Sequence, residues 1–136
     1  MKIESFLVNI TSENPEKMAA FYRDVLELAP NEQVGEGAFN LSDSTVLHID
    51  GHSETHGRTQ EPQRVLFDFF VEDVEAEQQQ LKAKGVEFVR ELGLEWWGGI
   101  ISTFTDPDGN YLQIIQFDPS KATANPDGAN AQTANA

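Results

Sequence analysis

The chain has 136 residues, no cysteine and a formal net charge of -14, which excludes disulfides and thiolate zinc sites and opposes non-specific binding to nucleic acid. One sizeable core fits this length, and no stretch approaches the roughly 20 apolar residues of a membrane span. The N-terminus also lacks the basic region and apolar run of a signal peptide, so a single soluble cytoplasmic domain is expected. The acidity serves solubility, and it would also concentrate a cationic ligand.

In chain order, Ile3 to Thr11 alternates as a strand, with Phe6, Val8 and Ile10 on one face and Leu7, Asn9 and Thr11 on the other. Asn14 reads as an N-cap and Pro15 as a first helical residue. Met18, Phe21, Tyr22, Val25 and Leu26 recur at helical spacing, which predicts a helix from Pro15 to Leu28 with these side chains in the core. A polar, glycine-containing segment follows from Ala29 to Gly37. Ala38 to Leu41 and Thr45 to Asp50 then predict a hairpin in which His48 opposes the apolar pair Leu47 and Ile49.

Gly51 to Gln63 has no periodicity and reads as a linker. His48, His52 and His56 are four apart, a spacing that would align three metal ligands on a helix. Gly51, Gly57 and the missing apolar face argue against that helix.

The pattern then restarts. Val65 to Val71 alternates as a strand, Asp73 caps a helix whose turns Val74, Glu77 and Leu81 mark, and Gly85 suits its left-handed end. Val86 to Val89 begins a further strand, Glu91 to Gly99 reads as a loop carrying Trp96 and Trp97, and Ile100 to Thr105 forms another strand. Pro107, Asp108 and Gly109 specify a tight hairpin turn. Beyond it Tyr111, Gln113, Ile115 and Phe117 share one face, so a single polar amide stands among large apolar neighbours. Residues 119–136 are rich in Ala, Asn and Gly and read as a disordered tail.

Residues 3–50 and 64–117 are therefore two copies of one unit within a domain over 1–118. Aligning Asn14 with Asp73 sets Leu7 beside Leu66, Asn9 beside Asp68 and His48 beside Gln113. The expected architecture is α+β: two βαβββ repeats whose sheets curve around a cavity with the helices outside. Val8, Ile10, Phe67, Phe69 and Val71 would pack under the helices. Asn9, His48, Asp68, Phe70, Tyr111 and Gln113 would line the cavity, with Trp96 or Trp97 at its mouth.

The FYRDVLEL helix, the VEDVEAEQQQLKAKGV segment, the WGG loop and the DPDGNYLQIIQ hairpin together resemble the vicinal oxygen chelate superfamily over about residues 3 to 117. That superfamily includes glyoxalase I, fosfomycin-modifying enzymes, extradiol dioxygenases and bleomycin-binding resistance proteins. The resemblance implies ligand positions at Leu7, His48, Leu66 and Gln113 in metal-dependent relatives. Leucine offers no donor, so no cofactor is expected, and a divalent metal would have only His48 and Gln113 of that set. Two functions follow from the resemblance. One is metal-free binding of a cationic or aromatic small molecule by a homodimer. The other is a metal-dependent lyase, isomerase or dioxygenase in which His48 acts as base or ligand and Asp68 orients it.

Overall fold

The computed structural model describes residues 1–127, which fall into two compact units, Met1–Arg58 and the part from Thr59 onward. In the first, β1 (Leu7–Ser12) leads into α1 (Pro15–Ala20), and β2 (Ala38–Asn40) and β3 (Val46–Gly51) follow. The strand order is β1-β3-β2, with β1 parallel and β2 antiparallel to β3. Asn14 is the N-cap of α1, its side-chain oxygen accepting from the Lys17 amide at 3.2 Å, a contact that stabilises a helix start by about 1 kcal/mol.

The single helix expected over 15–28 is two pieces. After Ala20 the backbone widens into a π-helical stretch, Phe21–Val25, where the Phe21 carbonyl accepts from Leu26 and the Tyr22 carbonyl from Leu28. The wider turn keeps Met18 and Tyr22 fully buried, with Phe21 edge-on to Tyr22 at 5.4 Å. Glu27 at φ 56° then ends the helical path. The first repeat has fewer strands than the expected βαβββ pattern. The segment before β2 contributes only an isolated bridge, Pro30 to Phe39, because Pro30 and the glycines at 35 and 37 break the ladder.

The second unit contains β4 (Phe67–Phe70), α2 (Val74–Ala83), β5 (Phe88–Leu94), β6 (Gly99–Thr105) and β7 (Tyr111–Phe117). Its sheet has the order β4-β7-β6-β5, with β4 parallel to β7 and the other pairs antiparallel. Asp73 caps α2 through the Ala76 amide at 3.0 Å, and Gly85 takes φ 87° just past its end. α2 covers one face of the sheet: the Gln116 side chain accepts from the Val74 amide, and Ser102 donates to Gln78. Phe104, Leu112 and Ile114 are buried on this face, each worth about 1.5–3 kcal/mol of apolar burial. Phe67 and Phe69 share it as half-buried residues, whereas Val65, expected to begin the strand, precedes it and is exposed.

Three further boundaries differ from the expectation. The first strand begins at Leu7, not Ile3. The stretch read as a loop from Glu91 is strand through Leu94 and then a four-residue turn, closed by Gly98 donating to the Glu95 carbonyl and Glu95 donating to Gly99. Within the expected tail, Pro119–Lys121 forms a 3-10 turn capped by Asp118, and Thr123 donates to the Trp96 carbonyl. The rest of that expectation, at 128–136, lies outside the described residues.

Candidate functional site

The face of each sheet turned away from its helix carries the polar residues singled out by sequence. In the first unit β1 and β3 run parallel with Asn9 in register with His48, and Asn9 Nδ2 lies 3.3 Å from His48 Nδ1. The flanking residues Leu47 and Ile49 are buried on the opposite side, so alternation turns His48 outward. Leu7 is in register with Val46, which leaves this end of the ladder without a donor side chain.

The second unit repeats the arrangement. Asp68 on β4 is in register with Gln113 on β7, as Asn9 is with His48. The structure extends this pair into a row. Gln113 faces Thr103 on β6, and Thr103 faces Arg90 on β5, so four polar side chains cross the sheet strand by strand. Gln113 is fully buried; its Nε2 donates to Thr103 Oγ1 at 2.9 Å, while its Oε1 has no hydrogen-bond partner. Burial of Arg90 is balanced by Glu95, whose carboxylate lies 2.8 Å from the guanidinium. Arg90 reaches over Gly93, where an added Cβ would meet the Arg90 guanidinium.

Asp68 stands at the solvent-exposed end of the row, on the edge strand, and desolvation by the surrounding protein raises its pKa above the usual carboxylate value. Phe70, on the same face of β4, is exposed, and Tyr111 is half-buried. Trp96 and Trp97 are both half-buried in the turn after β5. Trp97 lies across Gly99 and stacks on Phe117 at 6.1 Å between centroids. It therefore borders the row's face of the sheet, since Phe117 and Gln113 alternate to the same side.

Sequence reading named Asp68, Phe70, Trp97, Tyr111 and Gln113 but missed Thr103, Arg90 and Glu95. The spacing of Thr103 and Phe104 on a strand held a signal for the first. Register shifts on both sides of Arg90 hid the others.

Of the four ligand positions that the resemblance implies, Leu7 and Leu66 carry no donor, and among the described residues no group of three or more His, Cys, Asp or Glu side chains is placed to hold an ion. Among them, too, no helix is long and apolar enough to cross a membrane.

A different cavity, of about 940 Å³, lies in the first unit between α1, the segment before β2, and β3. Its lining includes the apolar Ala19, Phe39 and Ile49 and the charged Glu16, Arg23, Glu32 and Asp50.

Comparison with known proteins agrees with this architecture. The fold is similar to that of a glyoxalase/bleomycin resistance protein/dioxygenase from Nocardioides, with a TM-score of 0.67 at 15% identity over 98% of this chain and 91% of that one. A virulence protein from Salmonella typhimurium has a TM-score of 0.65 at 16% identity, over 87% of this chain and 100% of its own. A protein from the mobile metagenome of V. Pseudocholerae has a TM-score of 0.64 at 20% identity, over 87% and 98%. No curated protein matches the sequence. The model of the Glyoxalase/Bleomycin resistance protein/Dioxygenase superfamily matches residues 5–114, and the chain belongs to that superfamily.

Proposed function

We propose that this protein binds a cationic or aromatic small molecule without a metal, sequestering it in the manner suggested by the resemblance to bleomycin-binding proteins. The observation that carries this reading is the sheet face of the second unit, where a buried amide keeps an unused acceptor in register with an exposed carboxylate and a stacked tryptophan borders the same face. Such a surface combines a few directed polar groups with apolar walls, the usual make-up of a ligand site. The leucines at 7 and 66 favour binding over metal chemistry.

The protein acts as a cytoplasmic homodimer in this reading. Support comes from the edge strands β1 and β4, which carry the exposed apolar side chains Leu7 and Phe70. Light scattering at tens of micromolar should return twice the chain mass. A monomeric mass would refute the assembly.

Elemental analysis of protein purified without a metal-affinity tag, followed by titration with nickel, zinc, manganese and iron, tests the metal-free reading. The expected result is no stoichiometric metal. Retention of one ion per chain with micromolar affinity or better would replace the reading with a metal-dependent lyase, isomerase or dioxygenase using His48.

A further inference from the structure

The row Asp68, Gln113, Thr103 and Arg90 spans three strand spacings, about 14 Å, across a sheet whose adjacent positions are Ile101 and Ile115. Two features give it a direction. Thr103 uses the donor arm of the Gln113 amide, which leaves the acceptor arm buried and unpartnered. Glu95 neutralises Arg90, so the remaining charge in the row is the Asp68 carboxylate.

We infer that this row is a seat for a protonated amine, its N–H groups shared between Gln113 Oε1 and the Asp68 carboxylate, and that Glu95 sets the sign of charge the row accepts. The inference rests on the small-molecule-binding reading above and adds the chemical class. An unpartnered buried acceptor opposes folding, and a ligand N–H would satisfy it on binding. A cation beside Asp68 favours its ionised form, against the desolvation that now opposes it. An anion meets the reverse: an acceptor, a carboxylate and a guanidinium already paired. Glu95 is a positioning residue here, because it acts through Arg90.

The test uses the full chain and three probes of one shape: benzylamine, benzyl alcohol and benzoate. Binding is followed by NMR through the side-chain amide of Gln113, the backbone amides of Ile101 and Ile115, and the indole of Trp97. Benzylamine should shift the Gln113 amide and bind at least tenfold more tightly than benzoate. Asp68→Asn should remove most of that preference while the indole still responds to the aromatic ring. Glu95→Gln, which frees Arg90, should move the benzylamine-to-benzoate ratio at least tenfold toward benzoate. Asp68→Asn, at an exposed position, keeps the test open if Glu95→Gln fails to fold. Benzoate binding more tightly than benzylamine to the unaltered protein would overturn the inference, since it would mean that the amide presents Nε2. Equal binding of the amine to the unaltered protein and Asp68→Asn would also overturn it. In both cases the ring still shifts Trp97, so small-molecule binding survives. If none of the probes moves any of these resonances at millimolar concentration, both the amine seat and the binding face are refuted.

Discussion

Gln113→Leu separates a residue kept for stability from one kept for a ligand. Leucine has nearly the same volume, so no large cavity opens. The change removes one hydrogen bond, the 2.9 Å contact with Thr103, worth about 1 kcal/mol net. It also removes the unpartnered Oε1, whose burial costs about 1–3 kcal/mol. The Thr103 hydroxyl loses its neighbour and offsets part of the gain. Together these give a variant unchanged or more stable by about 1–2 kcal/mol, measured by urea unfolding with the slope unchanged. The same variant should lose the benzylamine response at position 113 and weaken binding at least tenfold. Destabilisation by more than about 2 kcal/mol would show that the amide is fully satisfied in the folded protein, and the reasoning would fail.

Other substitutions probe the frame around the row. Asp68 has a raised pKa in the folded state, so ionisation opposes folding: its cost is absent below the ordinary carboxylate pKa and grows as pH rises through the folded value. Gln113 is its register neighbour on β7 and β4 is the sheet edge, so Asp68→Asn should raise the unfolding temperature at pH 7, with the gain vanishing in acid. An unchanged or reversed difference between pH 7 and pH 3 would rule this out. Asp106 is buried and its carboxylate accepts from the amides of Asp108 and Asn110 at 3.0 Å each and from Asn110 Nδ2 at 2.9 Å. Asp106→Ala should cost about 2–4 kcal/mol by chemical denaturation, and a loss below about 1 kcal/mol would show that the turn holds without it. At Gly37, φ is 79° and a Cβ would meet the Ile49 carbonyl oxygen at 2.5 Å, where Ile49 N also bonds the Gly37 carbonyl. Gly37→Ala should therefore destabilise by about 2–4 kcal/mol, and a neutral result by thermal denaturation would contradict the close approach.

Local chemistry made part of this legible in the sequence. Asn14 and Asp73 cap as their side chains dictate, and Gly109 takes the positive φ its turn demands. The alignment that paired Asn9 with Asp68 and His48 with Gln113 reappears as matching register in two parallel ladders. Residues whose positions depend on irregular backbone were not legible. The π-helical stretch after Ala20 preserves the apolar spacing of an ordinary helix, so periodicity alone cannot distinguish it. Glu95 lies in a stretch rich in charge and glycine that reads as loop, and Arg90 stands just before it. Their pairing depends on a strand with two register shifts and a tight turn, neither of which leaves a period-two signal.

The connectivity of the second sheet also sets the order in which its polar row is assembled. β6 and β7 are joined by a five-residue turn region, 106–110, so their ladder can zip from the turn outward on the microsecond scale of a hairpin. β4 has no such local partner: its parallel pairing with β7 closes a segment of about forty residues, and that entropy must be met before any ladder bond forms. Loop closure thus favours the pairing of Thr103 with Gln113 before that of Asp68 with Gln113. In native-state hydrogen exchange, β4 amides paired with β7 should open with the lowest free energy in the sheet. A ligand bridging Asp68 and Gln113 would fasten that slow strand to the fast hairpin and slow its exchange.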